Sequence, residues 1–141
     1  MVPGPGAPEV PTPAAQRAHE VYAALFRIQQ RYARSDAARA RLVNPHMLSP
    51  DEAVRLVAGL AGGSLFYTDD AEPQVQDDDL LAALSLLPVV RAELDDLEAG
   101  LLTMARGEGA TWSQIATASG LDDARAAEQR HHQLVHRTER A

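Results

Sequence analysis

Between residues 125 and 137 the chain carries side chains of the kinds that read and grip a nucleic acid: Arg125, Glu128, Gln129, Arg130, Gln133 and Arg137. Arginine offers a rigid fork of N–H donors that fits guanine or phosphate, glutamine pairs with adenine, and glutamate accepts from cytosine. On a helix, residues 125, 128, 129 and 132 share one face, because side chains three and four positions apart line up. Arg125, Glu128 and Gln129 are therefore the candidates for base edges. Arg130, Gln133 and Arg137 are the candidates for phosphate, which fixes position rather than sequence. Four arginines from residue 124 onward stand against two acids, Glu128 and Glu139.

Two elements must position this face. Thr111 and Gln114 form a capping box, which starts a helix near Trp112 and turns Trp112 and Ile115 inward. Gly120 supplies the left-handed residue that stops it, Ala116 is small enough for a close helix crossing, and Leu121 follows the turn. Asp122 or Asp123 then caps a second helix over about residues 123–137, with Ala127, His131 and Leu134 on its inner side. This is the grammar of a helix-turn-helix whose second helix would enter the major groove of double-stranded DNA. The same grammar serves small helical domains that never touch DNA. A net charge of −7, with Asp122 and Asp123 at the mouth of the second helix, favours that alternative. It would be a protein–protein interaction module built on a degenerate helix-turn-helix.

Composition narrows the remaining classes. At 141 residues the chain is one domain or two very small ones, and all 13 of its basic residues are arginine. There is no cysteine, which excludes disulfides and thiolate metal sites. No apolar run approaches the roughly 18 residues of a membrane span, and the N-terminus lacks the blocks of a signal peptide, so a cytoplasmic protein is expected. Acid pairs at 51–52, 69–70, 77–79, 95–96 and 122–123 read as helix caps or solvated loops rather than as catalytic dyads. His132 and His136 lie one helical turn apart, but no acid with zinc-site spacing completes them. Neither enzyme chemistry, cofactor nor metal is expected.

The periodicity predicts an all-α fold, a helical bundle with a long kinked helix leading into the C-terminal helix-turn-helix. Residues 1–11, rich in proline, form a disordered arm. Residues 12–63 form an N-terminal helical region. In it Thr12 and Pro13 open a helix to about residue 34, a short helix covers 36–43, and Ser49-Pro50-Asp51-Glu52 opens a third that ends at Gly62-Gly63. Arginines 17, 27, 31, 34, 39 and 41 make a second basic patch. Residues 64–77 are an acidic loop, the expected seam between halves, and 78–141 hold the long helix and the helix-turn-helix. Leu80, Leu84, Leu87, Val90, Leu94, Leu97, Leu101 and Met104 step by threes and fours, which suits an internal core, a homodimer or another protein partner. Pro88 falls inside this run and predicts a kink or break near Leu87.

Residues 78–134 resemble the C-terminal half of small actinobacterial DNA-binding proteins, a family often labelled transcriptional regulators of a small heat-shock protein. The likeness is carried by DLLAALSLL at 79–87, Leu101, Met104, Ala105 and Arg106, Gly109-Ala110-Thr111-Trp112, and Ala126-Ala127-Glu128 with Arg130 and Leu134. It implies a helix-turn-helix and a role in regulating transcription. This chain has Asp123, Ala124 and Arg125 where the family pattern opens its recognition helix with serine, arginine and glutamine, and His131 where an aromatic is expected.

Overall fold

The computed structural model describes residue 6 and residues 8–140, the last three through their backbone alone. Among these residues there are six helices and no strand: α1 (Pro13–Tyr32), α2 (Asp36–Ala40), α3 (Pro50–Gly62), α4 (Asp77–Gly107), α5 (Trp112–Ala118) and α6 (Ala124–Arg140). Most of the arm expected over 1–11 lies outside the described residues; residues 6 and 8–11 are exposed and non-helical. No described helix is long and apolar enough to cross a membrane.

The helix starts follow the local chemistry read from the sequence. Thr12, Ser35 and Ser49 each accept a hydrogen bond from the backbone N–H three residues on, and Pro13 and Pro50 occupy first-turn positions where a missing N–H costs nothing. The box at Ser49 is only half formed. Glu52 turns away from the Ser49 N–H and accepts from the Val43 N–H instead, tying α3 to the segment before it. Gly63, at φ 83°, ends α3 in the left-handed conformation.

The chain divides into two compact units, Met1–Pro88 and Val89–Ala141. The core of the first joins Ala24, Ile28 and Tyr32 of α1 to Leu56, Val57 and Leu60 of α3 and to Ala82, Ala83 and Leu86 of α4. Tyr22 is exposed and lies beside Phe26. Residues 64–77, expected as a seam, are folded onto this unit. Tyr67 and Val75 pack on its core, and Arg41 pairs with Glu72 while donating to the Tyr32 and Phe66 carbonyls. Burial raises the Glu72 pKa, but Arg41 and the Thr68 N–H outweigh it and hold the carboxyl below its ordinary value.

Asp79 is the one fully buried charge in the described residues. Its carboxylate meets Arg27 Nε at 2.9 Å and Arg31 Nε at 2.7 Å, and accepts from the Tyr32 hydroxyl at 3.1 Å and the Gln76 N–H at 2.9 Å. The acid expected to cap α4 therefore does so through Gln76 and also anchors α1. Burial opposes its charge, yet these donors together hold its pKa below the ordinary aspartate value. Burial pushes the Tyr32 hydroxyl up to about 12, so it stays a donor at neutral pH.

α4 runs without a break through Pro88. The proline removes the N–H that would bond the Leu84 carbonyl, and Leu84 is exposed, so that carbonyl can be hydrated. Of the series from Leu80 to Met104, Val90 is buried. Leu94, Leu97, Leu101 and Met104 are exposed, while alanines 82, 83, 99 and 105 lie at or against the buried clusters together with Leu86 and Leu102, which stand outside the series. Small side chains let neighbouring helices approach closely, so α4 turns its alanine-rich face to the chain's own helices.

Candidate nucleic-acid interface

In the second unit two turns of one design bracket α5. After α4, Gly109 (φ 94°) places its N–H on the Arg106 carbonyl and the Ala110 N–H on the Ala105 carbonyl, both at 3.0 Å. After α5, Gly120 (φ 68°) repeats the pattern, with Gly120 N–H on Thr117 at 3.3 Å and Leu121 N–H on Ala116 at 2.8 Å. Each closes a helix by satisfying carbonyls that would otherwise lack a donor. The start of α5 carries the complete capping box, Gln114 N–H to Thr111 Oγ1 and Thr111 N–H to Gln114 Oε1. Asp123, rather than Asp122, caps α6 through a 2.8 Å bond from the Ala126 N–H.

Ala116 is buried, Leu121 is half-buried, and both belong to a core made with Leu102, Ile115, Ala127 and Leu134. His131 sits on the inner side of α6, its ring 5.5 Å from that of Trp112 and its Nε2 3.4 Å from Thr103 Oγ1. Arg106 lies over the other part of this cluster, 4.7 Å from the Trp112 ring, and donates to the Ala110 carbonyl. In the sequence Arg106 had a place in the resemblance but no contact; a cation six residues before a tryptophan across a glycine turn was the available signal.

The polar residues of α6 separate into two groups. Arg125, Glu128, Gln129 and Gln133 are exposed and have no side-chain partner among the described residues. Arg130 and Arg137 are committed within the chain. Arg130 makes a two-point contact with Glu98 and lies 3.5 Å from Asp95, and Arg137 meets Asp95 at 2.6 Å. Glu98 holds the Arg130 pKa above its ordinary value against the effect of burial. Asp95, expected at a cap or in a loop, lies in the middle of α4 and faces two arginines of α6, Arg130 and Arg137. No known protein family, curated protein or solved structure matches this chain. The functional reading therefore rests on the residues themselves.

The second basic patch is largely neutralised in the same way. Arg27 and Arg31 pair with Asp79, Arg39 with Asp36, Arg41 with Glu72 and Arg17 with Glu20. Among the described residues no group of three or more potential ligands is placed to hold a metal ion. His132 and His136 bring their Nε2 atoms to 2.9 Å, where one ring donates and the other accepts.

Proposed function

We propose that α5, its glycine turn and α6 form a helix-turn-helix that binds double-stranded DNA and regulates transcription. The observation that carries this reading is the division of α6: its inner face is closed by Ala127 and Leu134, while Arg125, Glu128 and Gln129 stand together outside with no role in the fold. In this reading Arg125, Glu128 and Gln129 meet base edges and Gln133 meets the backbone. Arg130 and Arg137 contribute to phosphate binding only when released from Asp95 and Glu98. A second copy is part of the reading, because one short helix reaches few base pairs and paired half-sites supply the rest.

Capture of fragmented DNA from a GC-rich genome at two salt concentrations, followed by sequencing, tests it. Enrichment of a shared motif that survives the higher salt is the expected result, and Arg125→Ala should then relax preference at one position by about tenfold or more. The engagement of Arg130 and Arg137 by acids of α4 favours a second reading, an interaction module that binds protein. Under it the folded protein enriches no DNA sequence.

A further inference from the structure

Leu94, Leu97, Leu101 and Met104 are 57%, 64%, 63% and 60% exposed along one stripe of α4. An adjoining face of the same segment already packs in the core of the second unit, through Ala99, Leu102 and Ala105. A row of large apolar side chains left uncovered beside a finished core marks a contact surface. Gly100 borders the stripe, and a Cβ added there would meet nothing within 4 Å. Glycine weakens a helix interior relative to alanine, and nothing among the described residues calls for it at this position. A facing helix backbone would.

We infer that this stripe pairs with a second copy of the chain, with the two α4 segments antiparallel about a two-fold axis level with Ala99. The spacing is symmetric about that level: Leu94 falls on the partner's Met104, and Leu97 on the partner's Leu101. Charge selects the orientation. Arg91, one turn before the stripe, and Glu108, one turn after it, are exposed and have no side-chain partner among the described residues. Antiparallel pairing sets each Arg91 beside the partner's Glu108 at both ends. Parallel pairing would set Arg91 against Arg91 and Glu108 against Glu108. Four such side chains per copy remove roughly 800 Å² from water across the pair, and their flanks bring the contact toward the small end of specific interfaces. The dimer should therefore be concentration-dependent, in the micromolar range. The proposed function also calls for a second copy, and this stripe is the surface that would supply it. Association without DNA and enrichment of a DNA sequence are separate readouts, so failure of one is distinguishable from failure of the other.

Analytical ultracentrifugation of the full chain without DNA, from about 1 to 200 μM, tests the association. The expected result is a monomer–dimer equilibrium that Leu97→Glu weakens at least tenfold while helix content and Trp112 fluorescence stay unchanged. Arg91→Glu should weaken it and Arg91→Glu with Glu108→Arg should restore it. Because the chain has no cysteine, orientation is read by disulfide trapping. Leu94→Cys and Met104→Cys should cross-link when mixed and not when alone, since a disulfide needs Cα atoms within about 7 Å. A monomer at every concentration overturns the inference, as does self-cross-linking of either single variant.

Discussion

Arg130 and Glu98 are joined edge to edge, with Nε 3.3 Å from Oε1 and Nη2 2.7 Å from Oε2. A cation that the sequence offers to phosphate is thus held by a carboxylate of its own chain, and any DNA contact by Arg130 must first displace it. Glu98→Gln keeps the side-chain length and removes the charge. The proposed function predicts tighter DNA binding by this variant and a salt dependence steeper by about one counterion. Both groups are more than a third exposed, so the loss of stability should stay below about 1 kcal/mol. Fluorescence anisotropy on one duplex at several salt concentrations reads the slope, and an unchanged slope would mean that Arg130 does not reach phosphate even when freed.

Asp79 makes a different prediction, about pH. Its folded pKa lies below the ordinary value, so the folded state binds fewer protons than the unfolded one as pH falls through the carboxylate range. The stabilisation is complete above about pH 5 and is lost as the pH drops toward the folded pKa. Asp79→Asn should cost about 2 to 3 kcal/mol at pH 7, discounted from the value for a fully buried pair because Arg27 and Arg31 are partly solvated. Urea unfolding of the two proteins by circular dichroism should give stabilities whose difference shrinks from pH 5 to pH 3. A difference that is the same at both pH values would remove Asp79 as the source.

The parts of the fold that were legible in the sequence are those fixed by neighbouring residues. Thr12, Ser35, Ser49 and Thr111 cap helices, and Gly63 and Gly120 follow helix ends, because each interaction spans only three to six positions. The buried face of α4 was not legible. Leucine spacing pointed to one stripe, while the packed face combines alanines that permit close approach with Leu86, Val90 and Leu102. Arg130 with Glu98 and Arg27 with Asp79 were equally hidden, since a charged residue reads as solvated until the fold brings an acid from 32 or 52 positions away. At the candidate interface the turn was visible and the commitment of its cations was not.

The cap at Asp123 separates two effects that a single charge change would confuse. Its carboxylate bonds the Ala126 N–H, so reversing its charge would unfasten the start of α6 as well as alter the field there. Asp123→Ala should destabilise the second unit by about 1 kcal/mol, and Asp123→Ser should recover most of that loss. The serine variant then carries the cap without the negative charge, and the DNA reading predicts that it binds tighter than the parent. The chain's single tryptophan, Trp112, lies in this unit, so its fluorescence during urea unfolding measures the stability arm.

Gly120 and Gly107 should respond to alanine with opposite signs. At φ 68° the Gly120 backbone is one that an alanine Cβ strains, although no neighbouring atom lies within 4 Å, so Gly120→Ala should destabilise by about 1 to 2 kcal/mol. The strain would loosen the Leu121 N–H bond to Ala116, and that amide should exchange faster with solvent. Gly120→Asn should cost less, because asparagine enters the left-handed region more readily. Gly107 sits in the last turn of α4 with no positive φ and open space around the added Cβ. There alanine restricts the unfolded chain without straining the folded one, and Gly107→Ala should stabilise by about 0.5 kcal/mol. Urea midpoints followed by Trp112 fluorescence compare the two directly, and a loss at Gly107 as large as that at Gly120 would show that the backbone angle is not what sets the Gly120 cost.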